Sequence, residues 1–144
     1  MQGELTSALS LIDRRDVIIN GSGRTDAGVH AEGQVASVVI EKEITPDKLR
    51  AGINGNLDKD VRVLEVEEVA DDFHARYSAV EKTYVYRIVN GPVISPFWFR
   101  YAYQDARPLS LDLMISASRL FLGEHDWTAF SAAQADVDDR RRTL

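Results

Sequence analysis

Two hydrophobic periods alternate along this chain, and that alternation restricts it to a mixed fold. Leu5, Ala8, Leu9 and Ile12 recur at helical spacing, which predicts a helix over residues 2–13. Val17-Ile18-Ile19 predicts a short buried strand, stopped by Asn20-Gly21-Ser22-Gly23, and Val35 to Ile40 predicts a second. Thr45-Pro46-Asp47 has the cap, the first-position proline and the early acid of a helix start. Leu49 and Ile53 are the expected inner face of that helix, and Gly52 and Gly55 are expected to end it early. Val61 to Val69 predicts a third strand. Tyr84 to Val89 predicts a fourth, with Tyr84, Tyr86 and Ile88 on one face and Val85, Arg87 and Val89 on the other. Pro92, Pro96 and Pro108 bracket an aromatic segment, Phe97 to Tyr103, expected at an interface or in a core. Ser110 is the expected cap of a last helix, with an inner stripe of Leu113, Met114, Ala117, Leu120 and Phe121 and a stop at Gly123. The charged run 138–142 reads as loop, and Arg142-Thr143-Leu144 as the start of a strand.

The order is helix–strand–strand–helix–strand, then strand–helix. A ferredoxin-like βαββαβ unit without its first strand has this order, so the expected class is α+β, an antiparallel sheet with helices on one face. With 144 residues the chain has room for one domain, or for two small halves linked by the less regular stretch 71–80. The sequence has no cysteine, which excludes disulfides and Cys-ligated metal sites and favours a cytoplasmic location. No apolar leader segment and no run of about 18 apolar residues occurs, so no membrane partner is expected. The net charge of −6 weakens non-specific affinity for nucleic acid. Local positive charge comes from Arg24, Arg76, Lys82 and Arg87.

The segment Gly21-Ser22-Gly23-Arg24-Thr25-Asp26-Ala27-Gly28-Val29-His30 carries the most chemical information. A dinucleotide loop G-x-G-x-x-G needs glycine where Asp26 stands, and a carboxylate there repels a pyrophosphate. A P-loop needs Lys and Ser/Thr after Gly28, where the chain has Val29-His30. No nucleotide cofactor is therefore expected. What remains is a glycine-flanked turn displaying an Arg and an Asp. On pattern alone Asp26 reads first as a turn or capping residue with Arg24 as its ion-pair partner. The other reading is a positioned, ionised carboxylate able to act as a nucleophile.

Gly23 to Ala31, followed by Gln34-Val35, resembles the signature loop of the tRNA pseudouridine synthase A (TruA-type) family. Asn54-Gly55-Asn56-Leu57, Asp72-Phe73-His74-Ala75-Arg76-Tyr77-Ser78-Ala79, Lys82-Thr83-Tyr84-Val85-Tyr86 and Phe121-Leu122-Gly123-Glu124-His125-Asp126-Trp127-Thr128 resemble further segments in the family's order. The resemblance implies that Asp26 is the nucleophile that converts uridine to pseudouridine in the anticodon stem-loop of tRNA. It implies that Arg24 pairs with Asp26 and helps open the RNA, and that Tyr84 lies over the target base, with Thr25, His30 and Arg76 also at the substrate. It further implies a homodimer, no cofactor, and two ferredoxin-like halves. Residues 1–72 would carry the Asp loop, and residues 73–144 would begin the second half with the Tyr84 strand.

The family pattern has a strand before Gln2 and a Met-Val-Arg segment beyond Leu144 that supplies a basic group. The resemblance therefore implies a fragment truncated at both ends and nearly inactive alone. His30, His74 and His125 are too scattered for a metal site, and His74 and His125 are expected to bond within the fold. Arg76 and Lys82 are open to two readings, phosphate contact or a solvated face. A non-catalytic RNA-binding module is the alternative function, but its R-G-F/Y-type strand motif is absent.

Overall fold

The computed structural model describes residues 1–131 and 139–144. It has mixed α+β content, divided into two units, Met1–Tyr84 and Val85–Leu144.

In the first unit, α1 (Gln2–Asp13) forms where the helical spacing predicts it and buries Ala8 and Leu9, with Leu5 and Ile12 packed at the rim. Strand β1 (Ile19–Gly21) pairs antiparallel with β2 (Ala36–Val38), Ile19 opposite Val38 and Gly21 opposite Ala36. The run Val17-Ile18-Ile19 is not buried throughout: Val17 and Ile19 are in the core while Ile18 is 81% exposed. An extended backbone turns alternate side chains to opposite faces, and only one face here is covered.

Helix α2 (Pro46–Asn56) starts at Thr45-Pro46 as expected and buries Leu49 and Ile53. It does not stop early, but runs through Gly52 and Gly55. Gly52 has a packing reason to be there. A Cβ at that position would lie 3.2 Å from Ile12 Cδ1 of α1, so the missing side chain lets the helices approach. Leu57 joins Ala8, Leu9, Val17, Ile19, Leu49 and Ile53 to complete the core.

Residues 61–69 form no strand ladder. Val61, Val63 and Val66 pack on the core, but the backbone of this stretch bonds to side chains of α2. Asn54 Oδ1 accepts from Val63 N and Asn54 Nδ2 donates to Val63 O, both at 2.8 Å, and Arg50 donates to Leu64 O at 3.1 Å. A side-chain amide has one donor and one acceptor arm, so Asn54 satisfies Val63 as a neighbouring strand would.

In the second unit, β3 (Ile88–Asn90) pairs parallel with β4 (Tyr103–Asp105). The strand expected from Tyr84 starts only at Ile88, where the ladder opens with the Arg87 carbonyl accepting from Tyr103 N at 2.8 Å; Tyr84, Val85 and Tyr86 are exposed. Ser110 caps α3 (Leu111–Ser118), its hydroxyl accepting from Leu113 N at 3.4 Å. The helix then tightens into a 3-10 turn, Arg119–Phe121, and the chain reverses at Gly123 with φ +96°. The apolar stripe of α3 faces outward: Leu113 is 72% exposed, and Met114, Leu120 and Phe121 are also exposed. Residues 97–102 form turns and Tyr103 opens β4, and the aromatic side chains Phe97, Trp98, Phe99, Tyr101 and Tyr103 are exposed rather than in a core.

Strand β5 (Glu124–Asp126) pairs antiparallel with β6 (Arg141–Thr143), so the strand expected at the last residues is present and Arg141-Arg142 is not loop. Asp138 of the charged run lies outside the described residues.

The buried Asp105 organises the β3–β4 end. Arg107 donates to it through Nε, a terminal guanidinium nitrogen and its backbone N–H, at 3.0, 2.7 and 2.9 Å. The Arg107 side chain above all, then its amide, holds the carboxyl down at about 2. An Asp in the unfolded chain titrates near about 3.9. The stability from this group is thus complete above about pH 4 and is lost as pH falls towards about 2. Asp105→Asn should remove that acid limb. Trp98 and Trp127, the chain's two tryptophans, both lie in this unit, so their fluorescence during acid titration reads it directly. An unchanged acid transition in the variant would assign that limb to other carboxylates.

Candidate active site

The β1–β2 pair leaves residues 22–35 as a long connection between Gly21 and Ala36. Loops of that length in a small fold are usually functional. This one is fastened at its base. Ser22 N–H donates to Val35 O at 2.8 Å, and the Ser22 hydroxyl donates to Gln34 Oε1. Gln34 Nε2 returns a bond to Gly23 O at 2.8 Å, and Lys82 Nζ donates to Ser22 O at 2.6 Å. Beyond Gly23 the residues Arg24 to His30 are exposed. The tip is a reverse turn in which Val29 N–H donates to Asp26 O at 3.2 Å and Gly28 takes φ +85°. That φ at the third turn position is the reason for a glycine there. Gly21 and Gly23 do not take positive φ.

Asp26 and Arg24, two residues apart on this loop, do not form the expected ion pair: among the described residues no salt bridge joins them. Both side chains are exposed on the loop and free to reach solvent. Thr25 and His30 are exposed on the same loop.

Arg76 lies in the turn that follows residue 70. Ala75 there is buried, and its N–H donates to Ser37 Oγ of β2 at 3.2 Å. The His74 ring stacks on Tyr77 at 4.4 Å, and its Nδ1 accepts from Arg76 N at 3.1 Å. The Arg76 guanidinium sits 5.9 Å from the Tyr77 ring centre. His125 bonds the Leu122 carbonyl at 3.0 Å, so both histidines are bonded within the fold, as expected.

Tyr84 is 71% exposed and ends the first unit. Among the described residues no hydrogen bond, ion pair or ring contact joins Asp26, Tyr84 and Arg76 to one another. What the fold does bring together is the loop base and the Lys82 segment, and the Arg76 turn and β2. Sequence reading assigned Gln34 no role and left Lys82 open. The available signal was their place inside the quoted motifs.

The carboxylates with lowered pKa lie outside residues 22–35. Burial pushes Asp13 up, but bonds from the Lys42 and Glu41 amides and from Arg15 bring it below its usual value. Asp126 is lowered mainly by the Thr128 hydroxyl, which donates at 2.5 Å, and then by the Thr128 amide. These are structural carboxylates, unlike the solvent-facing Asp26. Among the described residues no group of three His, Asp or Glu side chains is placed to hold a metal.

A loop of this kind between two paired strands is compatible with several chemistries. The decision comes from comparison: the family model described as tRNA pseudouridine synthase matches residues 1–78, the stretch that builds the loop and its support. The chain belongs to the tRNA pseudouridine synthase family. It is 44% identical over 144 residues to the tRNA pseudouridine synthase A of Bacillus sp. (strain KSM-64), covering 100% of this chain and 59% of that protein. It is 42% identical, with the same coverage, to the tRNA pseudouridine synthase A of Brevibacillus brevis. The enzyme of that name from Solibacter usitatus is 44% identical over 135 residues, covering 94% of this chain and 56% of its own length. The chain thus spans somewhat more than half the length of these relatives.

Proposed function

We propose that this chain carries the uridine-isomerising site of a tRNA pseudouridine synthase, with Asp26 as the nucleophile. The supporting observation is the loop 22–35, which is fastened at both ends and displays Asp26 to solvent on a glycine-closed turn. A rigid base and an open tip suit a carboxylate that must meet a base extruded from an RNA stem. The reaction breaks the bond from ribose to uracil nitrogen, turns the base, and forms a bond from ribose to uracil carbon. Substrate and product are isomers, so no cofactor or group donor is needed.

In this reading Tyr84 stacks on the extruded base, an interaction worth about 1–3 kcal/mol per base. Arg24 pairs with Asp26 once RNA is bound and fills the place of the displaced base. Thr25, His30 and Arg76 contact the substrate backbone, where cations and hydroxyls position RNA without reading sequence. The substrate site is the anticodon stem-loop. The complete protein is a cytoplasmic homodimer built on ferredoxin-like sheets with helices on one face. Residues 1–72 belong to its first half and residues 73–144 begin its second.

The test uses the protein as its gene encodes it, incubated with unmodified tRNA carrying tritium on uracil carbon 5. Release of tritium into water, together with chemical labelling of new pseudouridines in the anticodon stem-loop, is the expected result. Tight tRNA binding with no release would favour a non-catalytic RNA-binding module instead.

A further inference from the structure

The base of the Asp26 loop is held from two directions. From the loop's own far end come Val35 O and the two arms of Gln34. These leave the Ser22 carbonyl, a strong acceptor, to a donor from elsewhere. That donor is Lys82, 60 residues further along the chain, at 2.6 Å. The ammonium also lies against Gly23, where an added Cβ would be 3.5 Å from Nζ. Tyr84 follows two residues later, a backbone span of at most about 7 Å.

We propose that Lys82 is a positioning residue, whose ammonium, bonded to the Ser22 carbonyl, sets the Asp26 loop against the segment that carries Tyr84. Its consequence for turnover rests on the function proposed above. A charged donor makes a stronger bond than a neutral one, and the Lys82 ammonium is within bonding distance of the Ser22 carbonyl. Lysine suits the task because one compact head on a long stem can cross from a separate segment to a single carbonyl. The residue is exposed, so its loss leaves the core of α1 and α2 intact and releases only the loop. A misplacement of about 1 Å between reacting groups can lower a rate about 10²-fold.

The test compares Lys82→Met, which keeps the stem but has no donor, with Lys82→Arg, which keeps donors and charge. Amide hydrogen exchange is followed at residues 22–30 and in α1 and α2. In Lys82→Met the loop amides should exchange about tenfold faster while the helical amides are unchanged, and Lys82→Arg should restore most of the protection. In tritium release from tRNA, Lys82→Met should lower kcat by about 10–100-fold with KM nearly unchanged, again recovered by Lys82→Arg. Unchanged loop exchange in Lys82→Met overturns the proposal, as does full turnover by that variant. Accelerated loop exchange in a protein with no wild-type turnover would leave the fastening in place and remove the proposed function.

Discussion

Asp26→Asn is expected to abolish tritium release from tRNA, with turnover falling by roughly 10⁴-fold or more, while tRNA binding stays within a few fold. The magnitude is the order found when an enzyme loses its nucleophile. The substitution keeps shape and removes charge, and the structure gives little else for it to disturb. The turn at 26–29 is closed by the Asp26 backbone carbonyl, not by its side chain. Among the described residues the Asp26 carboxylate accepts no hydrogen bond, so the amide leaves no donor stranded. Gly28 keeps its φ of +85° in either case. Gel shift against unmodified tRNA measures binding, and tritium release measures chemistry. A variant that turns over near the wild-type rate would remove Asp26 from the reaction. A variant that loses binding and turnover together would assign it to RNA recognition.

What the sequence made legible follows from how local each feature is. Leu5, Ala8, Leu9 and Ile12 define one helical face by spacing alone, and that face is packed. Thr45-Pro46 fixes a helix start through a preset φ. The loop 22–35 was legible from its glycines and its match to a family motif. The turn at its tip explains Gly28 but not Gly21 or Gly23, which do not take positive φ. The misreadings share one cause, a partner distant in sequence. Gly52 looked like a helix stop because propensity says nothing of Ile12 pressing on it from α1. Val61 to Val69 has a strand's composition, but Asn54 and Arg50 take the bonds a strand partner would take. Tyr84 to Tyr86 alternates like a strand, but the ladder begins only at the Arg87 carbonyl, which accepts from Tyr103 N. The α3 stripe shows the same gap, because periodicity identifies an apolar face but not what lies against it. Lys82 could not be assigned from spacing, since its contact closes across most of the first unit.

Leu9→Ala should be the most damaging single substitution for the support of the loop. Leu9 is 4% exposed, in the core with Val17, Ile19, Leu49 and Ile53. Alanine is the best helix former, so α1 loses no propensity and the whole effect is packing. Truncating a buried leucine costs about 2–5 kcal/mol, the lost transfer energy plus the cavity left behind. A unit the size of Met1–Tyr84 has a total stability of roughly 4–13 kcal/mol, so the loss is a large share of it. The core and the loop are connected through β1: Ile19 is buried in the cluster, and the loop leaves the strand at Gly21. Opening the core therefore frees the strand that anchors Ser22 and the residues after it. Hydrogen exchange of the α1 and α2 amides under native conditions is the measurement, and exchange should accelerate by about 30-fold or more for a loss of 2 kcal/mol or above. The control is Leu11→Ala, two residues away on the same helix and 66% exposed, where the change should stay within about 0.5 kcal/mol. Equal effects at the two positions would mean that α1 does not pack through the face that carries Leu9, and the link from core to loop would fail with it.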